Sequence, residues 1–596
     1  MNRLTWITLC FVLSVTFVRA EERPNVIVIF TDDHGFADVS SQGVFDDLKT
    51  PNIDRLAAGG VRMSSGYVTA PQCVPSRAGL LSGRYQNRFG VESNGLSLAG
   101  FRRQTTLAER LRKAGYATGM TGKWHLGQAS QIVEHGFDDV YYKNANRPGW
   151  ANFGLDGSDR TPGPEQSQLY HLDANSEAAA AFIRRHHDEP FFFYCAYRAP
   201  HVPLDAPPKY LNRFPGEMPE RRRQALAMIS AMDDGVGRII STLREYEIEE
   251  RTIIFFIADN GAPLKIHKLD APGGGPGWDG SLNDPLNGEK GMLTEGGIRV
   301  PFFVYWKDHL PAGRVYDEPV ISLDVAATAN ALAGLPSDPN LDGVDLIPYL
   351  TGAESGSPHE ALYWRWVSQS AIREGKWKYL RAGSREYLFD LSEDISETKN
   401  LLGKNQSTAA DLRSKLEAWT RELEPPGLAT KDLSRAATNY FDFYLDGKPA
   451  PPPSRSDGSN RPVDGTHGWI IRNGAIKLEK DGLRVVPSQA ARRTPFLARA
   501  QLKTNGPANV LVDLKTSSGG RVGVSWRLAN QDDFVSGQTK SILVDADTDW
   551  QNISLPIESD ARIIHIRVTL PSETCKVRKI ELKGVEDTSV WKFGNH

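Results

Sequence analysis

Pro24-Asn25-Val26-Ile27-Val28-Ile29-Phe30-Thr31-Asp32-Asp33-His34 decides the fold. Its unbroken apolar run reads as a central strand of a parallel sheet, buried on both faces. Open α/β sheets place their chemistry at the carboxyl ends of such strands, and two adjacent aspartates stand there. Outward from this strand, Thr50-Pro51-Asn52 opens a helix that stops at Gly59-Gly60. Thr105-Thr106-Leu107 starts a second, ending at Gly115. Strand and helix then alternate, with strands over 116–120, 191–197, 253–259 and 300–305 and helices over 175–187, 221–246 and 323–333. The pattern predicts an α/β domain over 21–445, a mostly parallel central sheet flanked by helices. Within it, the short alternating stretches LYWRW, KWKYLRA and EYLFDL predict a small antiparallel subdomain over about 355–425, closed by a helix to Leu423.

Residues 446–468 (DGKPAPPPSRSDGSNRPVDGTHG) have almost nothing to bury and read as a linker. Beyond it, 469–596 is patterned wholly as short strands, at 521–529, 541–544, 550–556, 563–569 and 577–582, which predicts an appended β-sandwich. Its Trp469, Trp526 and Trp550 are either sandwich core or sugar-stacking surfaces.

A formal net charge of -3 over 596 residues, with 24% charged, gives no electrostatic case for nucleic acid or an anionic membrane. Residues 1–20 (MNRLTWITLCFVLSVTFVRA) read as a signal peptide, its apolar run too short to span a bilayer. No later stretch is long enough to anchor the chain, so the expectation is export to the periplasm or the extracellular space. Without Cys10 the chain keeps Cys73, Cys195 and Cys575, too few for a disulfide framework. Cys195, inside FFFYCAY, reads as a buried strand residue, which leaves Cys73 as the thiol that needs an explanation.

That cysteine opens Cys73-Val74-Pro75-Ser76-Arg77, followed by Leu80-Leu81-Ser82-Gly83-Arg84. Proline suits the first turn of a helix, so Cys73 sits at a helix N-terminus, where free amides favour an anion. Arg77, one turn on, points its donors at the same place. Alone, such a motif is equally a buried cysteine beside a solvated arginine. The two segments together resemble the signature of the type I sulfatases, of the alkaline-phosphatase-like superfamily. The core Cys-x-Pro-Ser-Arg is intact, while Gln72, Val74 and Ser82 depart from the commonest form.

Five further segments appear in the family's order. Asp32-Asp33 together with Asp259-Asn260, each closing an apolar run, make an all-oxygen set suited to a hard cation. They resemble the sulfatase metal site, which implies one Ca²⁺ on Asp32, Asp33, Asp259, Asn260 and the residue at Cys73. Imidazole is a poor partner for such an ion, so His34 is not assigned to it. Gly122-Lys123-Trp124-His125 resembles the second signature, whose Lys and His contact the sulfate and the nucleophile. Pro200-His201-Val202-Pro203 resembles the segment that carries the general acid, His201. Glu289-Lys290-Gly291 resembles the one with the sulfate-binding lysine, Lys290, while Glu295 and Arg299 brace the loop.

The resemblance implies conversion of Cys73 to formylglycine by a formylglycine-generating or maturase enzyme. One hydroxyl of the hydrated aldehyde would attack sulfur, Asp259 accepting its proton and His201 protonating the leaving alcohol. The other, with help from His125, would expel sulfate. Arg77, Lys123, Lys290 and the cation would neutralise the ester's oxygens. The expected activity is a secreted sulfuric ester hydrolase acting on sulfated carbohydrate or an aryl sulfate. Two alternatives stand beside it. One is a phosphodiester or phosphonate monoester hydrolase of the same superfamily. The other is a non-catalytic secreted glycan-binding protein. Substrate specificity falls to the loops 144–168 and 265–287.

Overall fold

The computed structural model describes residues 23–128, 131–141, 170–266, 268, 278–451, 465–487, 494–529, 531, 534 and 537–594. The segment read as a signal peptide, the loop 144–168, most of the linker and residues 267 and 269–277 of the loop 265–287 lie outside them. The chain divides into two compact units, one ending at Lys448 and the other running from Pro449. No helix among the described residues is long and apolar enough to cross a membrane.

The first unit is built on β1 (Asn25–Asp32), α1 (Pro51–Gly59), β2 (Val61–Met63), α2 (Cys73–Ser82), α3 (Leu107–Lys113), β3 (Ala117–Gly122) and β4 (Asp139–Tyr141). It continues through α4 (His171–His186), β5 (Phe191–Pro200), α5 (Glu220–Glu245), β6 (Thr252–Ala258), β7 (Phe302–Trp306), β8 (Arg314–Tyr316) and α6 (Asp324–Leu332). The eight strands form one sheet in the order β4-β3-β5-β1-β6-β7-β2-β8. β1 is central and parallel to both neighbours, β5 and β6. The segment expected at 300–305 departs from the parallel pattern: β7 runs antiparallel to both β6 and β2. Its approach through the loop after β6, without a crossover helix, sets that direction.

Side-chain alternation explains why β1, β5 and β6 carry continuous apolar runs. Val26, Val28, Phe30, Tyr194, Phe255 and Ile257 enter a core shared with Val74, Leu80 and Leu81 of α2 and Leu107 and Leu111 of α3. Ile27, Ile29, Phe193, Cys195, Ile254 and Phe256 enter the opposite one, with Ile53 and Leu56 of α1, Phe182 of α4 and Leu226, Met232 and Ile239 of α5. Each strand is therefore covered on both faces.

Four antiparallel strands make the subdomain sheet: β9 (Leu362–Trp366), β10 (Gln369–Glu374), β11 (Trp377–Ala382) and β12 (Arg385–Asp390), followed by α7 (Gln406–Thr420). The polar stretch QSAIRE hid β10 from the sequence pattern, yet Gln369–Arg373 are buried.

The second unit packs a five-stranded against a six-stranded antiparallel sheet around a core that includes Trp469, Val510, Val524, Ile566 and Ile580. Strands at Ile470–Arg472, Gly474–Glu479, Gly482–Pro487, Phe496–Asn505, Ala508–Thr516 and Thr588–Lys592 join those expected. Trp469 and Trp526 are core residues at 0% and 4% exposure, so neither is free to stack on a sugar. The ring of Trp550 carries the Arg578 guanidinium 4.6 Å from its centroid.

Candidate active site

At the carboxyl end of β1 the chain turns left-handed at Asp33, φ 58°. Aspartate tolerates that conformation, and it breaks strand alternation, so consecutive carboxylates share one site instead of facing opposite ways. β6 ends beside it. Asp33 donates its N–H to Asp259 Oδ1 at 3.0 Å, and Asn260 Nδ2 donates to Asp33 Oδ1 at 2.6 Å. Cys73, the first residue of α2, puts Sγ 3.5 Å from Asp32 Oδ1 and 3.9 Å from Asp33 Oδ1.

Three cations close around the carboxylates. Lys123, at the end of β3, donates from Nζ to both Asp32 oxygens at 2.8 and 2.7 Å. Arg77 Nη2 reaches Asp259 Oδ2 at 2.7 Å, and Nη1 donates to Lys123 O and Tyr194 Oη at 3.0 and 3.2 Å. Lys290 Nζ lies 2.6 Å from Asp33 Oδ1 and 3.3 Å from Cys73 Sγ. His201, just past β5, holds Nε2 3.6 Å from Asp33 Oδ2. Five separated segments thus converge on Cys73, in the chain order expected. For His125 the link is electrostatic only: it lies within the fields of Lys123, Arg77, Asp32 and His201.

The oxygen set fits a hard cation. Asp33 Oδ2 and Asn260 Oδ1 are buried without a hydrogen-bond partner among the described residues, acceptors that a cation would satisfy. Ligand atoms of Asp32, Asp33, Cys73 and His201 all lie within 4.8 Å of one another. Asp259 instead offers its oxygens to Arg77 and the Asp33 amide, with lone pairs to spare for an ion. Both ring nitrogens of His34 are engaged elsewhere, with Thr31 Oγ1 and Asp38 O at 3.2 and 2.7 Å.

The sulfatase family model matches residues 24–335, just over half of the 596-residue chain and all the site segments above. The chain belongs to the sulfatase family. It is a sulfuric ester hydrolase. A second model, N-sulphoglucosamine sulphohydrolase, C-terminal, matches residues 288–423, covering the Lys290 loop and the antiparallel subdomain. The chain is 34% identical to N-acetylgalactosamine-6-sulfatase of Sus scrofa over 399 residues, 60% of this chain and 72% of that one. It is 32% identical to an arylsulfatase of Hemicentrotus pulcherrimus, covering 60% of this chain and 67% of that one. Among solved structures, Ps i-CgsB in complex with k-i-k-neocarrahexaose superposes with a TM-score of 0.59 at 30% identity, covering 71% of this chain and 97% of that one.

Electrostatics in this sulfatase site follow from burial. Burial alone would raise the Asp32 carboxyl, but His201, Lys123, Arg77 and Lys290 hold it well below the usual carboxylate range. Burial would raise Asp33 too, and Lys290, with His201 where it is protonated, holds it low. Burial and the charge of Asp32 raise Asp259 despite Arg77. Burial, reinforced by Asp259, pushes the Cys73 thiol up, so it stays protonated. His125 is pushed down to about 3, by burial and then Lys123, and His201 to about 4, mainly by burial; both are neutral at pH 7.

The departures from the usual signature have partners. Gln72 Oε1 accepts from the Asn94 amide at 2.8 Å, and Asn94 Oδ1 accepts from the Val74 amide at 3.0 Å, so Asn94 pins the first turn of α2. Ser82 Oγ bonds Ala78 O at 2.7 Å. Asn94 and Tyr194 support the site without any motif to announce them. Glu295 accepts from Tyr67 Oη at 2.6 Å, Arg299 at 3.2 Å and Lys378 of β11 at 2.8 Å, a cluster that ties Glu295 and Arg299 to each other and to the subdomain sheet.

Proposed function

We propose that this sulfatase hydrolyses sulfate esters on carbohydrate after conversion of Cys73 to formylglycine. One Ca²⁺ would be held by Asp32, Asp33, Asp259, Asn260 and the residue at position 73. The carrying observation is the balance around Cys73: three carboxylates (Asp32, Asp33, Asp259) face three cations (Arg77, Lys123, Lys290). A bound divalent cation gives this cluster the positive excess that an anionic ester needs. The sugar comes from two comparisons: the pig relative is named for a sulfate on N-acetylgalactosamine, and Ps i-CgsB was solved with a neocarrahexaose. The apolar segment 1–20 supports export.

When present, formylglycine supplies a hydrated aldehyde oxygen as nucleophile and Ca²⁺ a fixed charge for the sulfate oxygens. The unconverted residue cannot substitute, because a thiol held protonated beside carboxylates is a poor nucleophile. Lys123 and Lys290 flank the reacting position and donate to sulfate oxygens. Arg77, fully buried, fixes Asp259 rather than meeting the sugar. His201 donates Nδ1–H to the Val202 carbonyl at 2.5 Å, which leaves Nε2 as the nitrogen that hands a proton to the leaving alcohol. Neutral at rest, it takes up that proton as the ester's charge offsets its burial. His125, also neutral, is free to accept one.

The test is to produce the full chain in a host with a formylglycine-generating or maturase enzyme and weigh the tryptic peptide 63–77. Sulfate release from a sulfated galactan oligosaccharide is measured against turnover of a phosphate diester. Loss of the thiol, gain of an aldehyde and preferential sulfate release are expected. A thiol retained in full, or faster diester turnover, overturns the reading.

A further inference from the structure

The antiparallel subdomain reaches the active site through one side chain. Gln369, the first residue of β10, is fully buried. Its Nε2 donates to the Gly291 carbonyl at 2.9 Å, and its Oε1 accepts from the Leu293 amide at 2.8 Å. This two-point amide pair grips the main chain immediately after Lys290. The same short loop is tied on its other side to the segments that present the site. Lys290 N–H donates to Ala262 O at 3.2 Å, two residues beyond Asn260, and Gly291 N–H to Pro71 O at 2.9 Å, two residues before Cys73. Gly291 adopts φ 91°, a left-handed turn that reverses the chain just beyond Lys290.

We propose that Gln369 is a positioning residue for Lys290, setting where its ammonium stands between Asp33 Oδ1 and Cys73 Sγ. The inference rests on the reading above, in which Lys290 binds the sulfate group. The argument is geometric. A lysine has four rotatable bonds and directs its charge only as well as its backbone is held. The backbone at 290–293 has no strand or long helix to hold it, and Gln369 supplies the missing partners from a rigid strand. An apolar residue at 369 would leave a part-buried carbonyl and a buried amide unpaired, and the loop would shift to re-satisfy them. A displacement of about 1 Å in a positioning element is enough to cost up to about 100-fold in rate. On this view the subdomain is part of the catalytic apparatus.

The experiment is a double-mutant cycle on the matured full chain, with para-nitrophenyl sulfate as the probe and thermal unfolding measured alongside. Gln369→Leu is expected to lower kcat/KM by about tenfold or more while the protein remains folded. In a Lys290→Ala background the same substitution should cost little further, since the residue it positions is gone. Gln369→Asn keeps both the amide donor and the acceptor on a shorter side chain, so it should lie between wild type and Gln369→Leu. It also carries the cycle if Gln369→Leu does not fold. A full loss persisting in the Lys290→Ala background overturns the proposal, because Gln369 would then act on the structure at large. So does a wild-type kcat/KM for folded Gln369→Leu when Lys290→Ala is impaired, and in that case the role of Lys290 survives. If Lys290→Ala itself is fully active, the assignment of Lys290 falls and this inference with it.

Discussion

Arg77 Nη2 donates to Asp259 Oδ2 across 2.7 Å, with neither side chain exposed to solvent. The arginine needs its whole fork, because Nη1 serves the Lys123 carbonyl and Tyr194 Oη while the guanidinium lies 5.3 Å over the Phe30 ring. Lysine offers a point charge and cannot reach all three. Arg77→Lys should therefore lower kcat/KM by about 100-fold or more, as loss of one preorganised donor does elsewhere. Arg77→Ala leaves Asp259 uncompensated in the interior and should destabilise the protein by about 3–5 kcal/mol. Steady-state kinetics and urea unfolding of the two variants separate the effects.

Metal removal should be visible in both activity and stability. Asp33 Oδ2 and Asn260 Oδ1 are buried acceptors without partners among the described residues, so a hard cation held on them would bind the folded chain and not the unfolded one. Chelation with EGTA should abolish sulfate release, and added Ca²⁺ should restore it. At a Ca²⁺ concentration about 100 times Kd the folded state gains about 2.7 kcal/mol. Asn260→Leu should remove most of the Ca²⁺-dependent shift in Tm. An unchanged Tm on titrating Ca²⁺ into wild type would rule out the assigned oxygen set.

What could be read from the sequence depended on the range of the interactions involved. The central strands were legible because burial on both faces writes an unbroken apolar run, as in Val26–Phe30. Asp32, Asp33, Asp259 and Asn260 stood out because they follow such runs, and Cys73 because it opens a proline-marked helix. Lys123, His125, His201 and Lys290 were pointed to only by the family resemblance of their segments. Gln369 and Asn94 were not. Each works through hydrogen bonds to the main chain of a distant segment, Gly291 and Leu293 in one case and Val74 in the other, and a backbone partner leaves no trace in residue identity. β10 was hidden for a related reason. Its polar residues are buried because they serve neighbouring loops, which inverts the alternation that pattern reading relies on.

A stability change with pH should come from His359. Its Nε2 lies 2.9 Å from Asp324 Oδ1, and Asp324 also accepts the amides of Ile321 and Val344 at 2.8 and 2.9 Å. Burial opposes protonation of His359, but the charge and hydrogen bond of Asp324 outweigh it and raise its pKa above 6.5. A histidine raised in the folded state favours folding fully below its unfolded pKa, and that contribution disappears as pH rises through the folded value. Wild type should therefore lose stability relative to His359→Gln as pH is raised from about 6.5 upward. Urea midpoints of the two proteins across that range measure it, and parallel curves would exclude the effect.

Lys378, in β11, is buried at 0% exposure with its Nζ 2.8 Å from both Glu295 Oε1 and Glu397 Oε1. Glu397 Oε2 in turn accepts the Glu295 amide at 2.6 Å, so one ammonium serves two carboxylates, of which Glu295 also has Arg299 at 3.2 Å. Lys378→Met preserves volume and removes the charge, and breaking such a group should destabilise by about 3–5 kcal/mol. The deficit should depend on pH in a definite direction. Burial already raises Glu397 to about 7 in wild type, against the pull of Lys378. Without that pull it rises further, so the variant's Glu397 folds as the neutral acid in acid solution and must be either buried charged or kept protonated at a cost in alkali. A group raised in the folded state loses its favourable contribution as pH rises. The difference between wild type and Lys378→Met should therefore widen from below to above about pH 7. Adding Glu397→Gln should flatten that difference and recover part of the loss, because an amide there needs no counter-charge. Urea unfolding of the three proteins at several pH values checks both statements, and a pH-independent deficit that Glu397→Gln leaves untouched would show that Lys378 stabilises by packing alone.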